Sequence, residues 1–208
     1  MSERTLVIDT ATAACSVALI ADGRVIAAEH RRVGRGHAEQ LLPMIAALPD
    51  GGRAARILVD CGPGSFTGIR VGLAAARALG LGWGATVAGY SALALIAARA
   101  FADAPALATV AVVLEGGHGE VFMQAFAASP FAALAPLASR LPEDARAAAG
   151  DMALIGSGVR LLHPERAETA AAMMLPVAAD IGLLPAAYAQ LPARPVYGRP
   201  PDAKPAAR

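Results

Sequence analysis

The residues with the most chemical content are Cys61-Gly62-Pro63-Gly64-Ser65-Phe66-Thr67-Gly68-Ile69-Arg70. They follow an apolar run, Ile57-Leu58-Val59, and open a long stretch of small residues. Gly62-Pro63-Gly64 forces a turn. Ser65 then stands where a helix N-cap belongs, its hydroxyl able to accept a bond from an otherwise unpaired helix N–H. Strand, glycine turn and capped helix start are the parts of a phosphate cradle. The spacing departs from both common versions. A P-loop needs Lys-Ser/Thr after its second glycine, and here Gly68 is followed by Ile69-Arg70. A dinucleotide fingerprint needs G-x-G-x-x-G, whereas Gly62, Gly64 and Gly68 are spaced G-x-G-x-x-x-G. Pro63 also removes one N–H that a phosphate nest would use. The loop has the outline of a phosphate site without its grip.

Three further places could take part in nucleotide chemistry. Asp9-Thr10 ends the apolar run Leu6-Val7-Ile8 and could hold Mg and a phosphate, or simply form a turn. Asp60-Cys61-Gly62 is a candidate second phosphate loop, weakened by the proline that follows. Gly156-Ser157-Gly158, after a late strand, stands where an adenosine loop would sit, but reads more readily as a plain turn. Covalent and metal chemistry find less. Gly64-Ser65-Phe66-Thr67-Gly68 is not the G-x-S-x-G elbow, and no His or acid can be assigned to Ser65. The histidines His30, His37, His118 and His163 fall in separate elements without an H-x-x-x-H pair. No catalytic residue and no metal ligand is assigned.

The elements that must position these residues alternate along the chain. Leu6 to Ile8 is a strand, Cys15 to Ile20 a second, and Asp22-Gly23 a hairpin turn into a third, Arg24 to His30. A helix runs from His37 to about Leu48, then come the strand at Ile57, the glycine turn and the long helix. A strand over Ala85 to Ala88 and a helix from Ser91 to about Phe101 complete the first half. Three meandering strands followed by helix, strand, helix, strand, helix is the order of an actin-like or ribonuclease-H-like lobe. Asp103-Ala104-Pro105 is the seam, which divides the chain into 1–102, a second smaller lobe 103–191 and a Pro-rich extended tail 192–208. In the second lobe, strands are expected over Leu107 to Leu114, Val121 to Phe126 and Met152 to Ile155. Helices are expected over Pro142 to Ala149 and, interrupted by Pro176 and Pro185, over Ala170 to Gln190.

The helix after Ser65 carries Gly68, Gly72, Ala76, Gly80 and Gly84 four apart, hence on one flat face. Each glycine costs about 1 kcal/mol relative to alanine in a helix interior, which close packing on that strip would offset. The strip can pack on the protein's own sheet or on another molecule.

Composition narrows the classes. Of the 208 residues 17% are charged and the formal net charge is +1, so there is no electrostatic case for strong direct nucleic-acid binding. Cys15 and Cys61 lie in apolar strand-like segments without C-x-x-C spacing, as in a reduced cytosolic protein. No charge falls between Arg77 and Arg99, long enough for a membrane span, yet Gly80, Gly82, Gly84 and Gly89 punctuate it. Asp9 interrupts the first apolar run, which argues against a signal peptide. A cytoplasmic protein without membrane contact is expected.

Several segments resemble one family. Val7-Ile8-Asp9-Thr10-Ala11-Thr12 with Cys15-Ser16-Val17-Ala18-Leu19 is similar to the opening of the TsaB (YeaZ) family. So are His37-Ala38-Glu39-Gln40-Leu41-Leu42-Pro43, the Gly62 to Gly72 signature, Ala78-Leu79-Gly80-Leu81 and Gly89-Tyr90-Ser91-Ala92-Leu93. Gly119-Glu120-Val121-Phe122 and the tail from Pro195 to Pro205 match in the second half. The chain departs from the family at Glu115-Gly116-Gly117, where Asp-Ala-Arg is usual, at Gly198, and in a short connection from Leu48 to Ile57.

The resemblance implies an α/β, actin-like (ASKHA, ribonuclease-H-like) fold with two lobes and a role in making threonylcarbamoyladenosine in tRNA. It implies a non-catalytic subunit that dimerizes with and activates a metal- and ATP-binding TsaD-like catalytic subunit, assisted by a TsaE-like ATPase. It further implies a homodimer when alone, and tRNA reached only through the complex. No cofactor is expected to bind this chain tightly; ATP or ADP and metal belong to the partner or the joint interface. The interface is expected on the two helices of the first lobe, at His37, Leu41, Ile45, Ser65, Phe66, Thr67, Gly68, Gly72 and Ala76. Asp9, Thr10, Gly62, Gly64, Gly156 and Gly158 would mark a vestigial nucleotide site. An active small-molecule kinase or ATPase of the same fold, which needs working phosphate loops, and a glycoprotease-like peptidase, which needs a metal or nucleophile, are the alternatives.

Overall fold

The computed structural model describes residues 4–198. Strands β1 (Arg4–Asp9), β2 (Ala14–Ala21) and β3 (Arg24–Arg32) form an antiparallel meander. Helix α1 (His37–Ala47) leads to β4 (Arg56–Asp60), helix α2 (Phe66–Trp83), β5 (Thr86–Tyr90) and helix α3 (Ala92–Asp103). β4 pairs parallel with both β1 and β5, so the first sheet is ordered β3-β2-β1-β4-β5. That order, half meander and half parallel crossover, is the ribonuclease-H-like arrangement, and the chain has the two-lobed actin-like α/β fold.

A second sheet is built from β6 (Thr109–Gly117) and β7 (Glu120–Ala128), a long hairpin, with β8 (Phe131–Ala133) and β9 (Ala138–Arg140) on β7. Helix α4 (Pro142–Ala149) leads to β10 (Ala153–Ile155), parallel to β6. Two short helices follow, α5 (Val159–Leu162) and α6 (Ala170–Met173), then 3₁₀ turns at Ala178–Leu183 and Ala186–Ala189.

Alternation along the strands distributes the core into layers. Leu6, Ile8, Val17, Leu19, Ile57 and Val59 face α1 and α2. Val7, Ala18 and Leu58 face the other way, against α3 and the 3₁₀ turns. α3 is buried nearly all round because the second sheet covers its far side with Val110, Val112, Leu114 and Phe126. Ala111, Val113, Val121 and Met123 then face α4, α5 and α6. The molecule is a helix–sheet–helix–sheet–helix stack. The seam at Asp103 divides the two sheets, while α3 supplies core to both.

The end of the chain differs from the sequence reading. Residues 170–190 hold one helical turn and two 3₁₀ turns, because Pro176 and Pro185 cannot donate helix hydrogen bonds. Residues 191–198 are no free tail. Leu191 bridges antiparallel to Gly89, the Val196 N–H donates to the Cys61 carbonyl at 2.8 Å, and Arg77 donates to the Ala193 carbonyl at 2.7 Å. The last stretch therefore returns to the first lobe and packs along α2. The remainder of the expected tail, 199–208, lies outside the described residues.

Candidate functional site

α2 begins as its sequence predicts. The Ser65 hydroxyl accepts the Gly68 N–H at 3.2 Å, which caps the helix. The Ser65 N–H itself donates to the Ala11 carbonyl at 2.6 Å, so the helix start is tied to the loop after β1. The glycines explain why it can come so close. A Cβ on Gly64 would stand 2.0 Å from the Ala11 carbonyl oxygen, one on Gly68 2.0 Å from the Thr10 carbonyl oxygen, and one on Gly72 2.4 Å from Thr10 Oγ1. The Thr10 hydroxyl donates to the Gly68 carbonyl at 2.7 Å. Ala76 is fully buried, and Gly80 meets Val87 of β5.

The strip of small residues thus faces the protein's own sheet. This corrects the expected partner interface: Gly68, Gly72 and Ala76 are consumed by intramolecular packing. Leu41 and Ile45 of α1 are buried in the same core, and His37 is buried with Nε2 against the Thr12 and Ala14 carbonyls at 2.9 and 3.1 Å. Of the residues expected at the interface, Ser65, Phe66 and Thr67 remain exposed. The outward face of α2 runs from Phe66, 53% exposed, through Ala74 and Ala78 to Leu81, 89% exposed. Leu42 and Ala46 lie on the outward face of α1.

The ends of β1, β4 and β5 bring Asp9, Asp60 and Tyr90 together, all buried. The Tyr90 hydroxyl is 2.9 Å from Asp9 Oδ2, and 3.2 Å from the Ile8 carbonyl. Asp60 Oδ1 accepts the N–H groups of Gly62 at 2.9 Å and Ala92 at 3.0 Å, so it holds the glycine loop and supplies the cap of α3 that Ser91 does not. Asp9 Oδ1 and Asp60 Oδ2 have no hydrogen-bond partner. Burial, reinforced by the neighbouring Asp60 charge, pushes the Asp9 carboxyl well above its ordinary range. Burial likewise pushes Asp60 up to about 7 against its two backbone donors. No sequence signal marks Tyr90 as a site residue, since it appears there only within the Gly89-Tyr90-Ser91 segment.

These residues do not fit the ATP and magnesium that the actin-like fold otherwise accommodates. The Asp9 and Asp60 carboxyls are closed off from solvent and held toward their protonated forms, whereas a magnesium ligand must be ionised and reachable. Gly62 and Gly64 are packed against Ile69 and Ala11 instead of leaving room for a phosphate. Gly156 and Gly158 lie in the second lobe, where a Cβ on Gly156 would stand 2.4 Å from the Val113 carbonyl oxygen. Gly156, at φ +108°, adopts a backbone conformation that L side chains rarely take. Ser157 between them accepts the Glu115 N–H at 3.3 Å. Among the described residues there is no group of three or more His, Cys, Asp or Glu side chains placed to hold a metal, and no helix is long and apolar enough to cross a membrane.

Next to the closed crevice lies an open one. A cavity of about 1130 Å³ separates the loops at Thr12 and Gly34 and the start of α2 from the tip of the β6–β7 hairpin, Ser157, α5 and α6. Its wall on the first lobe is a stacked cluster. The Arg70 guanidinium carbon is 3.5 Å from the Phe66 ring centroid, and the Phe66 and Tyr197 rings are 5.4 Å apart. Arg70 Nε and Nη2 donate to the Tyr197 hydroxyl at 3.3 and 3.2 Å. Arg32, Arg35 and Arg160 also line the cavity. No sequence signal marked these arginines as a group, because they come from four separate elements.

Comparison with known proteins places this geometry. The model of the TsaD family, tRNA N6-adenosine threonylcarbamoyltransferase, matches residues 27–129. The tRNA threonylcarbamoyladenosine biosynthesis protein TsaB of Escherichia coli is 36% identical over 124 residues, which cover 57% of this chain and 53% of that protein. The match thus spans about half the length of that curated relative. A crystal structure from Pseudomonas aeruginosa, described as an uncharacterized protein with similarity to peptidase YEAZ, superimposes with TM-score 0.77 at 30% identity. It is covered in full, by 95% of this chain. The structure of YeaZ from Pseudomonas aeruginosa gives TM-score 0.76 at 29% identity, over 94% of this chain and 99% of that one. With fold, glycine signature and full-length superposition in agreement, the chain belongs to the TsaB (YeaZ) family.

Proposed function

We propose that this chain is a non-catalytic subunit of the machinery that makes threonylcarbamoyladenosine in tRNA, and that it dimerizes with and activates a TsaD-like catalytic subunit. The observation that carries the reading is the closed crevice. Where a kinase of this fold would admit phosphates, Gly64 and Gly68 sit directly on the Ala11 and Thr10 carbonyls. Asp9 and Asp60 are buried behind them. A chain so built has no working phosphate loop of its own, so ATP or ADP and metal belong to the partner or the joint interface. tRNA is reached only through the complex, and a TsaE-like ATPase assists it.

The seam with the partner lies on the outward face of α2 (Phe66, Thr67, Ala74, Leu81) and of α1 (Leu42, Ala46), not on the buried glycine strip. Apolar burial at about 25 cal/mol per Å², before association costs, supplies most of the binding free energy. The same face makes a homodimer when the chain is alone. Light scattering on a sizing column tests this, with the protein alone and mixed with the TsaD-like subunit of its own organism. A one-to-one complex that replaces the homodimer is expected. No complex, with ATP bound and turned over by the free chain, would instead favour a kinase.

A further inference from the structure

The cavity between the lobes is left over once the phosphate crevice is closed, and its chemistry is distinctive. Arg32, Arg35, Arg70 and Arg160 line it against the two carboxylates Glu115 and Glu168. Four cations less two anions leave +2 on this one surface, while the whole chain carries a formal net charge of +1. Glu115 is already paired with Arg160, and Arg70 is stacked on Phe66. Among the described residues Arg32 and Arg35 make no ion pair. Guanidinium groups arranged around a recess favour bidentate partners such as carboxylates.

Two further features decide the size and kind of occupant. Small-molecule pockets are commonly about 300–1,000 Å³, and this cavity of about 1130 Å³ lies at the top of that range. Its second-lobe wall is apolar, with Met173 and Leu175 accessible beside the charged rim. A small multivalent anion would leave most of the space and all of the apolar wall unused. The chain's own residues 199–208 carry Arg199, Lys204 and Arg208 against Asp202, the same sign as the cavity, so charge disfavours them as occupants.

We infer that the inter-lobe cavity, with Arg32, Arg35, Arg70 and Arg160 on its rim and Met173 and Leu175 on its wall, receives an extended acidic peptide segment of a protein partner. Carboxylates on the segment meet the arginines and interspersed apolar side chains fill the wall. This deepens the partner-subunit reading and rests on it. Phe66 belongs both to the cavity wall and to the outward face of α2, so a subunit seated on that face is adjacent to the cavity.

A displayed library of random twelve-residue peptides, selected on the immobilised full chain, tests the chemistry without presupposing a sequence. Enriched peptides are expected to interleave Asp or Glu with large apolar residues. A fluorescein-labelled winner, followed by anisotropy, should lose at least tenfold in affinity in Arg32→Gln and in Arg160→Gln, and weaken as salt rises. Arg32 is exposed and Arg160 half exposed, so both variants should melt like the parent, which a thermal scan verifies. The proposal is overturned by no enrichment, by enrichment of neutral or basic peptides, or by affinities that ignore both substitutions. Displacement by inorganic triphosphate at comparable concentration would reassign the cavity to small anions. Binding of an RNA hexanucleotide in place of peptides would reassign it to nucleic acid. A chain that complexes the TsaD-like subunit yet selects no acidic peptide loses this inference alone; the reverse result removes only the proposed function.

Discussion

Gly68 and Thr10 lock together across the start of α2. The Thr10 hydroxyl donates to the Gly68 carbonyl at 2.7 Å, and a Cβ on Gly68 would stand 2.0 Å from the Thr10 carbonyl oxygen. The atom in the way is backbone, at the end of a central strand, and cannot swing aside. Gly68→Ala should therefore destabilise the protein by about 3 kcal/mol or more, as overpacking against a rigid neighbour does. Gly82 on the same helix has open space around its missing Cβ. There the ordinary helix preference applies, and Gly82→Ala should stabilise by about 0.5–1 kcal/mol. Urea unfolding of the two variants beside the parent checks both signs.

Stability should fall as pH rises because of the buried carboxyl pair. Asp60 titrates at about 7 in the folded protein, against about 3.9 in an unfolded chain. The unfolded state therefore ionises first. The stability tied to a neutral Asp60 is full below about pH 4 and is lost as pH climbs through about 7. Asp9, raised as well by burial and the Asp60 charge, adds to the loss in the same direction. Asp60→Asn keeps an oxygen for the Gly62 and Ala92 N–H groups and removes the charge. Urea midpoints at pH 5 and pH 8 should differ clearly in the parent and much less in this variant. An equal pH dependence in the two would show that Asp60 is not the group responsible.

The two faces of the first-lobe helices should separate folding from assembly. Leu81→Glu and Leu42→Glu act on exposed positions and should change stability by no more than about 0.5 kcal/mol, yet abolish the complex with the TsaD-like subunit. Leu41→Glu, one residue from Leu42 but inside the core, should prevent folding by burying an unpaired charge. Molar mass by light scattering, alongside a thermal melt, distinguishes the cases. Normal complexes from both exposed variants would mean that the partner seats elsewhere.

Cys15 and Cys61 are buried, and burial pushes both thiols up to about 11. The thiolate is the reactive form. Neither should react with a disulfide reagent such as Ellman's at pH 8 while the protein is folded, and both should react once urea unfolds it. Rapid labelling of the native protein would contradict the packing of Cys61 between Val59 and the returning chain at Pro192.

Much of this protein was legible in its residues, for local reasons. Ser65 caps α2 because a hydroxyl beside a glycine turn can reach the N–H three residues on. Pro142 opens α4, and β1 alternates Leu6 and Ile8 on one face with Val7 on the other, because helix starts and strand periodicity are properties of a few adjacent residues. The ruined phosphate loop was visible for the same reason, since Pro63 and the absent lysine are facts of spacing.

Relations across many residues were decided only by the tertiary structure. A stripe of Gly68, Gly72 and Ala76 says that something packs closely, but not what; the parallel pairing of β4 with β1 and β5 put the sheet there and turned Leu81 outward. Residues 191–198 read as a proline-rich tail because their hydrogen-bond partners, Gly89 and Cys61, lie far earlier in the chain. Asp9, Asp60 and Tyr90 come from three strands, and Arg32, Arg35, Arg70 and Arg160 from both lobes, so neither constellation has a spacing to recognise. Local spacing determined the elements and the missing phosphate grip. Which face each element buried, and what chemistry gathered between the lobes, depended on long-range packing that no local pattern encodes.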